Sequence, residues 1–80
     1  MKARVEIGFR PGVLDPEAQA IGRALGSLGF EGVREVRRTK VIELDLDGSD
    51  AASAEAQVKA MCERLLANPV IETYRVSVYR

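Results

Sequence analysis

Leu65-Leu66-Ala67-Asn68-Pro69-Val70-Ile71-Glu72 is the stretch on which the fold turns, because helical spacing ends inside it and strand alternation begins just beyond it. Upstream, Ala54, Val58, Met61, Cys62 and Leu65 recur at three- and four-residue intervals, with Glu55, Gln57, Lys59, Glu63 and Arg64 on the other side. That period marks an amphipathic helix, with Leu65 expected to anchor its end to the core. Asn68-Pro69 ends it, since a proline ring disfavours helical geometry in the residue before it. Downstream, Tyr74, Val76 and Val78 alternate with Arg75, Ser77 and Tyr79, the pattern of a strand with one buried face.

Moving towards the N-terminus, Asp47-Gly48-Ser49-Asp50 is turn-forming, and Asp50 or Ser53 can cap the helix that follows. Before it, Ile42, Leu44 and Leu46 alternate with Val41, Glu43 and Asp45, which predicts a strand with the first three inward. Val33 and Val36 form a second apolar patch, separated from this strand by Arg37-Arg38-Thr39-Lys40. That charged middle is either a tight turn joining two strands or part of one long strand, and we adopt two strands. Further back, Asp15-Pro16-Glu17 reads as N-cap, first helical position and acidic first turn. The apolar side of this first helix is Ala18, Ile21, Leu25 and Leu28, with Gly29 placed as its left-handed stop. Gly22 and Gly26 make a smooth ridge on it, suited to close packing on a sheet within the monomer or to a dimer contact. Lys2 to Phe9 alternates, with Ala3, Val5, Ile7 and Phe9 facing inward. The resulting order, β-α-β-β-α-β, predicts an α+β domain over residues 1–80, a small antiparallel sheet with both helices on one face.

Eighty residues bury only about 60% of the surface their unfolded chain exposes. Cys62 is the single cysteine, so no intramolecular disulfide supplements that thin core, and a partner surface is a natural supplement. Twelve basic residues balance twelve acidic ones, which argues against a broad electrostatic grip on nucleic acid or an anionic membrane. The lone thiol and the lack of a long apolar run fit a soluble, cytoplasmic protein.

Histidine is absent, which removes the imidazole base and the Ser-His and Cys-His pairs. Cys62 lies on an apolar helix face with no histidine or cationic neighbour evident on that face, the setting of a core thiol and not of a nucleophile. Glu43, Asp45 and Asp47 share one strand face; a solvated face accounts for them, because hard-metal sites gather oxygens from several segments. Arg34, Arg37, Arg38 and Lys40 form the one basic concentration. Its readings are plain surface charge, the rim of a protein interface, or a phosphate contact. The element order is also that of RNA-recognition domains, but the exposed strand aromatics and the basic excess of that class are missing. Gly8-Phe9-Arg10-Pro11-Gly12 has neither the spacing nor the Lys-Ser/Thr ending of a phosphate-binding loop.

Three stretches resemble one family: Gly12-Val13-Leu14-Asp15-Pro16, Lys40-Val41-Ile42-Glu43-Leu44, and Leu65 to Glu72. They look like the PurS family, the small subunit of phosphoribosylformylglycinamidine synthase, a purine-biosynthetic amidotransferase, and the likeness spans nearly the whole chain. Where members often carry Gln-Gly after the Asp-Pro, this chain has Glu17-Ala18, and Thr73 stands where an acidic residue is common. The resemblance implies a non-catalytic assembly subunit that binds no cofactor. ATP and magnesium would act on a large synthetase subunit, and a glutaminase subunit would release ammonia. It implies self-association as a dimer or tetramer, bridging of the two catalytic subunits, and support of ammonia transfer between them, with no nucleic acid or membrane involved. Arg37, Lys40, Val41, Glu43, Asn68 and Glu72 are the candidate residues of a dimer or partner interface. The alternative from the element order is a regulatory module of ferredoxin-like type that binds a small effector.

Overall fold

The computed structural model describes residues 1–80. Strand β1 (Lys2–Phe9) forms the centre of a three-stranded antiparallel sheet, between β2 (Lys40–Asp45) on one side and β3 (Glu72–Tyr79) on the other. Its register places Val5 opposite both Ile42 and Val76, so the alternating apolar residues of all three strands lie on one face. Helix α2 (Ala51–Met61) follows β2 and packs across β1 and β3. Ala3, Val5 and Ile7 meet Val58, Cys62 and Ala67 there in a fully enclosed cluster, with Ile42, Leu44, Leu46, Tyr74, Val76 and Val78 half-buried around it. Both caps read from the sequence are made. The Asp50 carboxylate accepts the Ala52 N–H at 3.1 Å and the Ser53 hydroxyl at 2.9 Å. Asp15 accepts the N–H groups of Glu17 and Ala18 ahead of helix α1 (Pro16–Ser27).

The α+β class and the antiparallel sheet stand, and three expectations within them are corrected. First, the strand expected at Val33–Val36 is absent: residues 30–39 form no ladder, and the order is β-α-β-α-β. The sheet therefore has three strands. With no turn-forming pair in Arg37-Arg38-Thr39-Lys40, nothing reverses the chain, and it runs straight on into β2.

Second, only α2 covers the sheet. Helix α1 stands off it, and of its expected apolar side only Ala18 is buried, while Leu25 is half-buried and Leu28 is 73% exposed. The chain after α1 turns at Gly29, whose positive φ of 91° is the left-handed stop. The Phe30 N–H returns to the Leu25 carbonyl at 3.0 Å and closes the helix end. The segment then runs back alongside α1, so that a Cβ added at Gly22 would sit 3.6 Å from Val36 Cγ2, whereas Gly26 meets nothing. The glycine ridge serves this returning segment at one position only. Helix and return segment together form an arm. It draws the molecule out to 50 × 26 × 15 Å and the radius of gyration to 16.1 Å, against about 12 Å for a compact domain of this length.

Third, Leu65 does not anchor α2. Residues Cys62–Leu66 form a π turn, sealed by the Ala67 N–H on the Cys62 carbonyl at 3.0 Å. A π turn inserts one residue into the helical register. The inward place passes to Leu66 and Ala67, and Leu65 is left 82% exposed.

Candidate partner interface

The π turn delivers the chain into a junction that bonds itself closed. Asn68 donates its backbone N–H to the Glu72 carboxylate at 2.7 Å and accepts the Val70 N–H on its own Oδ1 at 3.0 Å. The Asn68 carbonyl takes the N–H groups of Ile71 and Glu72, and the Pro69 carbonyl takes the Arg10 guanidinium at 2.8 Å. The Arg10 N–H reaches the Ile71 carbonyl, also at 2.8 Å. Of the candidate residues, Asn68 and Glu72 are thus brought together as two ends of one Asx-type turn. Val70 in this turn and Leu65 in the π turn before it point to solvent on a backbone that is held in place.

Lys40, Val41 and Glu43 lie on β2, at the sheet edge. Lys40 is opposite Ile7 and Val41 opposite Glu6, while Glu43 faces Arg4 across the ladder with 3.7 Å between their charged groups. All three are exposed. Across β1, Glu72 and Lys40 line one small hollow over Gly8, together with Arg38 and Thr39. Arg37 stands apart on the return segment, exposed, with Glu35 at 2.8 Å.

The base of the arm is fixed by Arg38. Its guanidinium bonds Asp15 through both Nε and Nη2, at 3.1 and 2.9 Å, and meets Glu17 at 2.6 Å. The Arg38 bond, with the Ala18 and Glu17 N–H groups, holds the Asp15 carboxyl below the usual carboxylate range against the opposing effect of burial. Arg38 is raised in turn, by its bond to Asp15. Elsewhere Tyr74 donates to Glu63 at 2.6 Å, and that bond raises its phenol. Burial, with the Glu63 charge beside it, raises the Cys62 thiol, so the thiolate is disfavoured. No three of the Cys, Asp and Glu side chains converge as metal ligands, and no helix is long and apolar enough to cross a membrane.

Several surface residues escaped the sequence reading as interface candidates: Ile21, Leu28, Phe30 and Val33 on the arm, and Leu65 and Val70 at the junction. The signal for the arm was present, because the Ile21-Leu25-Leu28 stripe was legible. The sheet, its expected cover, does not take it. For Leu65 there was no signal, since helical spacing carries no mark of a π turn.

The family model for PurS, phosphoribosylformylglycinamidine (FGAM) synthase, matches residues 2–80. A relative, the PurS subunit of that synthase from Methanocaldococcus jannaschii, is 44% identical over 77 residues, covering 96% of this chain and 93% of its own. The crystal structure of a PurS from the same organism has a TM-score of 0.90 at 42% identity and covers 99% of this chain and 95% of its own. Bacillus subtilis PurS gives 0.89 at 42% identity, covering 99% and 98%. PurLQS from Thermotoga maritima contains a chain with a TM-score of 0.86 at 34% identity, covering 95% of this chain and 93% of that one. A match over nearly every residue, with the arm included in the superposed fold, shows that the chain belongs to the PurS family of FGAM synthase subunits.

Proposed function

We propose that this chain is a non-catalytic assembly subunit of FGAM synthase in purine biosynthesis, associating with itself and joining the synthetase and glutaminase subunits. The observation that carries the reading is unspent surface. The chain exposes 6074 Å², whereas a compact monomer of its mass exposes about 4,700 Å². The excess of about 1,300 Å² is more than the roughly 800 Å² each partner commits to a standard interface. It lies in a arm-shaped surface carrying Ile21, Leu28, Phe30 and Val33, and an apolar surface of that kind marks a protein contact. Beyond α2 the inner sheet face at Ile42 and Leu44 is only half covered. The arm of a second copy laid over β2 satisfies both. The free edges of β2 and β3 offer a further way to join copies, by extending the sheet.

The catalytic inventory supports the same reading: there is no histidine, the one thiol is buried with its thiolate disfavoured, and no acidic cluster forms. The chain binds no cofactor of its own in this proposal; ATP and magnesium belong to the synthetase subunit. Ammonia released by the glutaminase subunit must be kept from water, and a subunit that closes the gap between two enzymes does this without supplying a reacting group. PurLQS of Thermotoga maritima, in which a chain of this fold occurs, is the model for such a complex.

The test is reconstitution. Mixed with the synthetase and glutaminase subunits, the chain should give a stable complex and glutamine-dependent synthesis, while ammonia-dependent synthesis by the large subunit should need it far less. Equal glutamine-dependent rates with and without the chain would end the proposal.

A further inference from the structure

A groove of about 850 Å³ runs between α1 and the return segment, floored by the loop after β1. Five arginines line it, on a chain whose net charge is zero. Arg37 is taken by Glu35, and Arg38 by Asp15 and Glu17. Arg23 and Arg34 have no acidic partner and no side-chain hydrogen bond, and Arg10 spends one donor on the Pro69 carbonyl and meets no acid. A guanidinium has five donors, so three cations line one concavity with most of their bonding capacity free. Charge along the chain is sorted to match: the first forty residues hold eight cations against five acids, and the last forty hold four against seven.

The groove borders the apolar stripe of α1 at Ala18 and shares Val33 with the exposed apolar surface of the arm, but it lies to one side of the rest of the stripe. At 3.6 residues per turn, Ala18, Gln19, Gly22 and Arg23 share the groove side, and none of Ile21, Leu25 or Leu28 lines it. Burying Ile21, Leu25 and Leu28 against a second copy leaves Gln19 and Arg23 outside that contact. Gly22 lines the groove on its α1 side, where an added Cβ would meet Val36 Cγ2 at 3.6 Å.

We propose that this groove binds a small phosphate-bearing metabolite, its phosphate held by Arg10, Arg23 and Arg34. Guanidinium groups pair with phosphate oxygens in bidentate fashion, which suits them to this ligand. The volume is that of a small-molecule site, and the concavity favours a compact anion over the broad surface of an acidic protein. The inference does not depend on the assembly reading, which is tested by mass and by glutamine-dependent synthesis.

Calorimetric titration of the full chain with ribose 5-phosphate and with ADP separates a sugar monophosphate from a nucleotide, with ribose and adenosine as the counterparts lacking phosphate. Saturable binding of at least one phosphorylated probe, weakened by salt and absent for its counterpart, is the expected result. Each lost charge-assisted contact should cost about tenfold in affinity, so Arg23→Gln with Arg34→Gln should weaken binding about a hundredfold. Both side chains are exposed and unbonded, so the melting temperature and light-scattering mass should not move. Arg64→Gln, an exposed arginine outside the groove, should bind as the parent does. Absence of binding at millimolar concentration overturns the proposal, and so does affinity unchanged in the double variant. If the double variant loses a partner subunit while the parent binds neither probe, the groove is a protein contact and the proposal is wrong.

Discussion

Asp15 carries two duties with one carboxylate: it caps α1 and receives Arg38 from the return segment, so the start of the arm and its end are pinned at the same atom pair. Its pKa is lowered mainly by Arg38. A lowered carboxyl contributes stability that is present above its unfolded pKa and lost as pH falls through the folded value. Acid below the ordinary carboxylate range should therefore loosen the arm first. Asp15→Asn keeps a capping oxygen but drops the charge, so its melting temperature should lie below the parent's at neutral pH and converge with it in acid. Parallel curves down to pH 2 would show that Asp15 contributes nothing through its charge. Cys62 invites a different test. It is enclosed among Val5, Ile7 and Val58, where an unpaired hydroxyl costs about 1–3 kcal/mol. Cys62→Ser should lower stability by that amount in urea, and the native thiol should resist a disulfide reagent that labels it at once after unfolding. Rapid labelling of the folded chain would mean that the packing between α2 and β1 opens readily.

Elements were legible wherever a periodic pattern met its own cap, and illegible where a neighbour decided the outcome. Lys2 to Phe9, the Asp15 and Asp50 caps, the Gly29 stop and the strand from Tyr74 to Val78 all follow from local chemistry and appear as read. Val33 and Val36 have strand-forming side chains, but a strand exists only with a partner ladder, and within one chain Val36 faces a helix while Val33 is exposed. The stripe of α1 is legible in the sequence and its partner is not, because amphipathicity says that a face is covered and not by what. At the interface candidates the same limit applies: Asn68 and Glu72 are joined by the junction they build, a role that family likeness alone did not supply. Leu46 tests the inner face of the sheet. It is half-buried against the core just past β2, and Leu46→Asp would set a carboxylate among apolar side chains, which is strongly unfavourable. The variant should unfold or dissociate. An unchanged melting temperature and mass would mean that the face at the end of β2 is open to water.

The whole molecule poses one question, which is how a chain with eight buried residues out of 80 stays folded at all. A core that small gives little beyond the conformational entropy it must offset, and the arm adds exposed apolar surface without adding a core. Self-association resolves this if the arm is where copies meet. The coupling between folding and assembly then makes stability depend on concentration, as for dimers whose protomer is not stable alone. Leu28→Glu distinguishes this from a merely soluble arm. Leu28 is 73% exposed within one chain, so in an isolated protomer a glutamate there should change stability by no more than about 0.5 kcal/mol. In an interface the same charge is desolvated and unpaired. Light scattering should then report a smaller mass than the parent's, and the melting temperature of the parent, but not of the variant, should rise with protein concentration. A parent that melts at one temperature across a hundredfold range of concentration, with the variant identical to it in mass, would show that the arm is free of other copies and that the excess surface is reserved for a different subunit.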